Sequence, residues 1–501
     1  MHTLKKLSED ALCHWLSWLR DRPQDKIPDA RRVWKFLQPA AALLMNVATR
    51  CSYDSQPYVT QIFLPMLVSK GRLHITPHNL KEVLLYFMEN KPECENNESS
   101  MKQVKVEDVE GSEHYLSFLP FLGNLKNLTV LVIGSVVNDD LLSVLGINCP
   151  LLQIIDSRED TGNMVSDVGL AYLSQCRKLK HVYFSAFADG YDAVSEQLGF
   201  SGRGVALLLL LPEIKNVICS EYLLGDALHF LYQARYQRQT LRVRCMLLEH
   251  LEVSYSTFQI LPILCPELEV VALRVDSGKE RGIGNSLSSL VNLRILIMTM
   301  ESGIKLRDTL VTGYGHQLSF LYITTYILDS ENIILLSHSC PQLKTLVLKM
   351  YSFGFDGVAI SDLKKPLFPS VEKLELRQNI SVRLFKYLNT QIKNIQEVHC
   401  GWATIHNIED ALKVVLKAGA WQQVEYLALP MTCEISFDLI VELMSSLPNL
   451  KHLVVMVQRS KEGALQQYIR QSAPGLRWSH YPEVSPSTSG CLSHDVWTTA
   501  T

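Results

Sequence analysis

Three groups of residues in this 501-residue chain are of types that do chemistry: cysteines beside histidines, two glycine-rich stretches, and aromatic and charged residues set two apart. Cysteine stands next to histidine at Cys13-His14 and near it at His338 and Cys340. A thiolate with an imidazole base, or a zinc site, needs such groups to converge. Both pairs lie in segments of helical spacing, where near neighbours in sequence point apart. None of the twelve cysteines forms a CxxC pair or stands at zinc-finger spacing with histidines. The stretches GFSGRG (199–204) and GKERGIG (278–284) have the glycine content of a phosphate cradle. Neither completes GxxxxGK[ST] or the strand-GxGxxG-helix context, so both read as loops. HExxH, GxSxG and the kinase set do not occur in the sequence. The sequence thus assigns no catalytic residue, no metal ligand and no cofactor, and the expected protein is not an enzyme.

Four cysteines follow another rule. Cys149, Cys176, Cys265 and Cys340 each stand three residues before an apolar residue, in CPLL, CRKL, CPEL and CPQL. That regularity predicts buried, reduced thiols and a cytoplasmic or nuclear chain. The cysteines open a recurring L-x-x-L-x-L frame, as at Leu179/Val182/Phe184, Leu268/Val271/Leu273, Leu293/Leu296/Met298, Leu318/Leu321/Ile323, Leu343/Leu346/Leu348, Val371/Leu374/Leu376 and Val424/Leu427/Leu429. The frames that begin at 268, 293, 318 and 343 are 25 residues apart, a leucine-rich-repeat period. Wider gaps predict insertions around Asp189–Gly204 and Tyr222–Arg244.

Between frames the spacing turns helical. In VSDVGLAYLSQC (165–176), Ser166 or Asp167 is the expected N-cap. The inward face is either Val168, Ala171 and Tyr172 or Gly169, Leu170 and Leu173. A strand, a turn and a helix cannot hide their apolar faces alone, but stacked units share one core. The expected fold class is therefore α/β, a leucine-rich-repeat solenoid with a curved parallel sheet and outer helices over 115–482. A small helical N-terminal region precedes it.

Side chains alternate along a strand, so residues between the inward leucines line the concave face. This places His181, Tyr183, Arg274, Phe320, Tyr322, Arg377, His399, Tyr426 and His452 there, with Lys349, Lys373, Glu375 and Glu397. Tyrosine, phenylalanine and arginine among them suit a protein partner. The apolar Val130, Val132, Ile154, Ile295 and Ile297 occupy similar positions and are expected to touch an insertion or the tail.

The remaining segments differ in composition. Residues 1–55 carry an amphipathic helix in LSEDALCHWLSWL (7–19), with Leu12, Trp15, Leu16 and Leu19 on one stripe. Residues 56–88 read as a divergent first repeat or cap, with Leu73 and Ile75 in strand spacing. Glu89 to Glu113 hold eight acids against three lysines, which predicts a disordered acidic insertion over 89–114. Residues 483–501 are rich in Ser and Thr and read as a flexible tail. A net charge of −3 disfavours nucleic acid. No signal peptide is visible, and the apolar run Val205–Leu211 is too short to span a membrane.

The pattern CxxLxxLxL followed by V-S-D-x-G-L-x-x-L resembles the cysteine-containing repeat of F-box and leucine-rich-repeat proteins. Leu7, Glu9, Leu12, Trp15, Leu16, Ser17, Trp18 and Leu19 resemble the opening of an F-box, with Ser8 in place of the usual proline. Val33 and Trp34 are adjacent, where the family separates them. The resemblance implies a substrate-recruiting subunit of an F-box ubiquitin ligase, in which Leu12, Trp15, Leu16 and Leu19 bind a Skp-type adaptor joined to a cullin while the repeats hold a protein substrate. The alternative is a ligase-independent scaffold whose N-terminal helices cap the solenoid.

Overall fold

The computed structural model describes residues 72–75, 83, 101–106, 115–133, 137–157, 165–184, 199–219, 221–234, 240–248, 255–275, 280–300, 313–326, 328–351, 366–401 and 403–479. The chain forms two compact units, Met1–Leu268 and Glu269–Thr501.

In the first unit the strands are β1 (Arg72–Ile75), β2 (Gln103–Val106), β3 (Val130–Ile133), β4 (Ile154–Ser157), β5 (His181–Phe184), β6 (Asn216–Ile218) and β7 (Cys245–Leu248). Each pairs in parallel with the next in chain order. Parallel neighbours require a crossover, and helices supply it from β2 onward. They are Tyr115–Gly123, Asp139–Asn148, Asp167–Leu173, Gly202–Leu209 and Glu221–Gln233, and helix Tyr255–Leu264 follows β7. Leu131, Ile155, Val182 and Val217 point inward from the strands and are at most 1% exposed. Of the two faces open to helix Asp167–Leu173, the one built of Gly169, Leu170 and Leu173 is buried, and Val168 faces out.

Polar contacts tie each repeat to the one before it. Ser166 is the N-cap and accepts from the Val168 amide at 3.1 Å. Its own amide donates to Asp139 Oδ1 of the preceding helix at 2.7 Å. Ser201 repeats the device: its amide and hydroxyl donate to the two carboxylate oxygens of Asp167, both at 2.7 Å. The close approach requires glycine at the third helical position, because a Cβ on Gly169 or Gly204 would collide with the Asp139 or Asp167 carboxylate. At the opposite end of the helices, the Cys149 thiol donates to Leu122 O at 3.7 Å and the Cys176 thiol to Leu145 O at 3.6 Å. These thiols are reduced, and burial pushes them up to about 12.

The structure departs from the sequence reading in four places. GFSGRG is the start of helix Gly202–Leu209, where Gly202 and Gly204 pack closely on Asp226 and Asp167, and GKERGIG runs into helix Glu280–Ser288. Tyr222–Arg244 contains helix Glu221–Gln233, so part of the wide gap there is a longer repeat helix. Within the acidic stretch 89–114, Gln103–Val106 forms β2, with Met101, Val104 and Val106 buried. Apolar alternation prevails there over the charge of the flanking residues.

The second unit contains β8 (Val270–Val275), β9 (Ile295–Met300), β10 (Phe320–Thr325), β11 (Thr345–Met350), β12 (Lys373–Asn379), β13 (Glu397–His399), β14 (Ala403–Thr404), β15 (Tyr426–Ala428), β16 (His452–Val454) and β17 (Arg477–Ser479). From β8 to β12 each strand pairs in parallel with the next. Then β12 pairs β13 through Glu375 and β14 from Gln378, whose φ of 60° turns the chain between the two. Beyond them run β13–β15–β16–β17, again parallel. Helices Ser330–Ser339, Val382–Gln391, Ile408–Lys417, Phe437–Ser446 and Arg459–Ser472 alternate with the strands. The later repeats replace the cysteine with other anchors: Trp421 is buried, donates to Asn389 Oδ1 at 3.1 Å and meets the Phe385 ring edge-on at 6.2 Å.

Candidate functional site

Strand register resolves the concave side chains into rows. In the first unit, His181 on β5 lies opposite Ile154 and Asn216, and Tyr183 lies opposite Asp156 and Ile218. The His181 and Tyr183 rings stack at 6.1 Å. Asn216 Nδ2 donates to His181 Nδ1 at 2.9 Å, and Tyr183 Oη lies 3.3 Å from the same nitrogen. Burial, helped by Lys215 and Lys180, lowers His181 to about 4, so the imidazole is neutral near pH 7. Tyr183 is only 8% exposed. Asn216 is 5% exposed and His181 half-buried, so most of this group lies within the fold. Asn216 was not among the sequence candidates, although it stands between Ile214 and Val217, at a concave position of a weak repeat frame.

The second unit has a buried row and an open one. Ala272, Ile297, Tyr322 and Val347 lie side by side and are all within 2% of full burial. Tyr322, expected on the partner-facing surface, is therefore withdrawn from it. Apolar neighbours crowd it along the row, and the Arg377 guanidinium lies over its ring at 5.6 Å. Arg377 in turn contacts Glu375 at 2.5 Å. Arg274 and Arg377 end a third row, with Thr299, Thr324 and Lys349 between them. Phe320 and Ile295 stand in the first row and are half-buried, whereas Ile297 is buried.

The open group lies farther along the sheet. Lys373, Glu397, Tyr426, His452 and Arg477 occupy successive positions of one row. His399 and Tyr426 stack at 4.5 Å with planes 20° apart, and Tyr426 meets His452 at 6.0 Å and 32°. His399 Nε2 donates to Glu397 Oε2 at 3.1 Å, and Lys373 Nζ lies 3.7 Å from that oxygen. Burial and Lys373 lower the His399 pKa, against the opposing pull of Glu397. Burial raises that of Tyr426, and Glu397 and Glu375 raise it further. The structure thus brings His399, Tyr426 and His452 together, and separately His181 and Tyr183. Among the described residues no three His, Cys, Asp or Glu side chains are placed to hold a metal ion. Among them also no helix is long and apolar enough to cross a membrane. Leu12, Trp15, Leu16 and Leu19 lie outside the described residues.

Repeating strand-helix units in parallel register, with inward leucines and cysteine or tryptophan anchors, make this a leucine-rich-repeat protein with an α/β solenoid fold. No family model and no curated protein matches the sequence. Solved structures similar to it include the yeast Rad7 and Elc1 complex, at 12% identity and a TM-score of 0.41, covering 79% of this chain and 94% of that one. The mouse RP105/MD-1 complex is similar at 13% identity and a TM-score of 0.29, over 76% of this chain and 80% of that one. The Drosophila Toll–Spatzle complex gives 10% and 0.29, over 72% and 51%.

Proposed function

We propose that the chain is a protein-recognition module that binds its partner on the concave sheet. One observation carries this reading: Lys373, Glu397, His399, Tyr426 and His452 stand half-exposed on adjoining strands, with charge, stacking surface and hydrogen-bonding groups held in fixed register. Rigid aromatic rings and charges fixed in this way lose little conformational freedom on binding. The chain itself performs no catalysis in this reading.

We further propose that it recruits a substrate to an F-box-type ubiquitin ligase. The support is the N-terminal sequence LSEDALCHWLSWL, in which Leu12, Trp15, Leu16 and Leu19 would bury against a Skp-type adaptor carrying a cullin. The test is a pull-down of purified adaptor and cullin by the full-length chain and by a Trp15→Asp, Leu19→Asp variant. Capture by the wild type and its loss in the variant support the ligase role. No capture by a folded wild type leaves a scaffold whose N-terminal helices close the solenoid.

A further inference from the structure

We infer that the starts of β5, β6 and β7, where Arg177, Lys178, Lys180, Lys215, Arg242 and Arg244 gather around one carboxylate, dock a segment rich in Asp and Glu from a protein partner. This edge belongs to the first unit and shares no residue with the group at Lys373 to Arg477, so the concave reading stands or falls without it.

The chain enters these strands as RKLK (177–180), PEIK (212–215) and LRVR (241–244). Leu179, Ile214 and Val243 are buried at the same place in each, which leaves the residues on either side of them at the surface. Six basic side chains meet one acid, Glu213. Backbone hydrogen bonds set their order: the Lys215 amide donates to Lys180 O and the Arg244 amide to Lys215 O, both at 2.8 Å. The same ladder runs back through Gln153 and Thr129 to Lys102. The row at the strand starts is thus Lys102, Thr129, Gln153, Lys180, Lys215 and Arg244, with members about 4.8 Å apart. It holds four cations and no acid.

The second unit shows the same position in a balanced state. Its row, ordered by the same kind of hydrogen bond, is Glu269, Arg294, Ser319, Lys344, Glu372, Gln396, Glu425 and Lys451. Three acids offset three bases there, and Lys344 pairs with Glu372 at 3.9 Å and Lys451 with Glu425 at 2.6 Å. Like charges on adjoining strands cost stability. The first unit therefore carries a repulsion that an anionic partner relieves.

The cations are within reach of such a partner. The Lys178 side chain is 55% exposed and that of Lys180 32%, and Arg242 and Arg244 are exposed. Glu213 neutralises only part of the group: it accepts from Lys178 Nζ at 2.6 Å and lies 4.0 Å from Lys180 Nζ. Among the described residues the Lys215 and Arg242 side chains make no hydrogen bond and no ion pair, and neither does the carboxylate of Glu267 at the next turn. The positive field registers on two neighbours. Lys215 and Lys180 add to burial in pushing His181 down to about 4, and Lys180 and Arg242 add to the Lys178 hydrogen bond in holding the Glu213 carboxyl below its usual range. Carboxylates need only donors, and this edge supplies them. Nucleobases need aromatic platforms, whereas RKLK, PEIK and LRVR contain no ring, and Tyr183 farther along β5 is 8% exposed.

The test measures fluorescence anisotropy of a labelled hexaglutamate peptide titrated with the full-length chain at low salt and at about 0.15 M salt. Saturable binding that weakens with salt is expected, and none to the matching hexaglutamine peptide. Lys180→Gln combined with Lys215→Gln weakens binding by at least about fivefold. Lys344→Gln combined with Lys451→Gln removes the same charge from the balanced row and leaves binding unchanged. Glu213→Gln, which deletes the one acid of the group, tightens binding by about twofold or more. A gain of this kind cannot come from misfolding, so it serves if the double lysine variant does not fold. No saturable binding by the folded wild type, equal binding of the two peptides, equal losses in the two double variants, or no gain in Glu213→Gln overturns the assignment. An oligothymidylate of equal charge that binds more tightly than hexaglutamate through the same lysines also overturns it, in favour of nucleic acid.

Discussion

His181–Tyr183 in the first unit and His399–Tyr426 in the second pair the same residue types in stacked rings on a parallel sheet, yet they end in opposite states. His181 and Tyr183 are two apart on one strand, and Asn216 on the next strand donates to the imidazole. The result is a nearly buried knot of hydrogen bonds. His399 and Tyr426 come from adjacent strands, and the imidazole donates to a carboxylate that is itself half in water. The difference lies in the neighbour. An amide on the flanking strand satisfies the His181 ring while Tyr183 beside it is buried, whereas the half-exposed acid beside His399 leaves Tyr426 partly open. A stacked His–Tyr pair is therefore not by itself a mark of a binding surface.

The largest effect comes from removing the apolar support beneath each group. Leu427 on β15 and Val182 on β5 are fully buried under their respective rings. Leu427→Ala is expected to destabilise the chain by about 2–5 kcal/mol. Val182→Ala removes two carbons and costs roughly 2 kcal/mol, at about 0.8 kcal/mol per buried carbon plus a small cavity. Urea midpoints check both. A cost below about 1 kcal/mol for Leu427→Ala would mean that the inner row does not hold the open group in place.

The inner rows were legible from sequence because a leucine's inward position repeats every 25 residues or so, and the repeat carries its own register. Cap and ladder chemistry was partly legible: Ser166 and Gly169 both stand in the V-S-D-x-G motif. Openness of the concave positions was not. Tyr322 stands between the inward Leu321 and Ile323 and Tyr426 just before the inward Leu427, and one is 1% exposed while the other stands partly open. Their fates depend on lateral neighbours such as Ile297, Val347, Glu397 and His452, each a full repeat away in sequence and adjacent only once the strands are in register. The charge count over 89–114 misled for a related reason, since a mean over 26 residues hides the four that alternate into a strand.

The closed group also sets a pH dependence. Folded His181 titrates near 4, below its ordinary 6.5, so between those values the unfolded chain holds more protons than the folded one. Its contribution to stability is complete above about pH 6.5 and is lost as the pH falls toward 4. In His181→Gln this part of the decline is absent. Urea midpoints of wild type and variant should therefore draw together between pH 7 and pH 4. Parallel curves would show that the His181 ring is already open to water and that the contrast with His399 is one of degree.

The smallest effect is expected at Tyr426→Phe. The ring stays in the stack with His399 and His452, and only a hydroxyl at a partly exposed site is lost, so stability changes by less than about 0.5 kcal/mol. Asn216→Ala is the matching change in the closed group. It strips the half-buried His181 imidazole of its amide donor at a position that is itself 5% exposed, and costs about 1–3 kcal/mol. The two values together test whether each group serves the fold or serves a partner. A site held for binding can lose its polar edge without harm to folding, because water takes over the hydrogen bonds the phenol made. If Tyr426→Phe costs as much as Asn216→Ala, the hydroxyl is satisfied from within the fold. The open row would then be a structural seam like the closed one, and a partner would have to be sought elsewhere on the sheet.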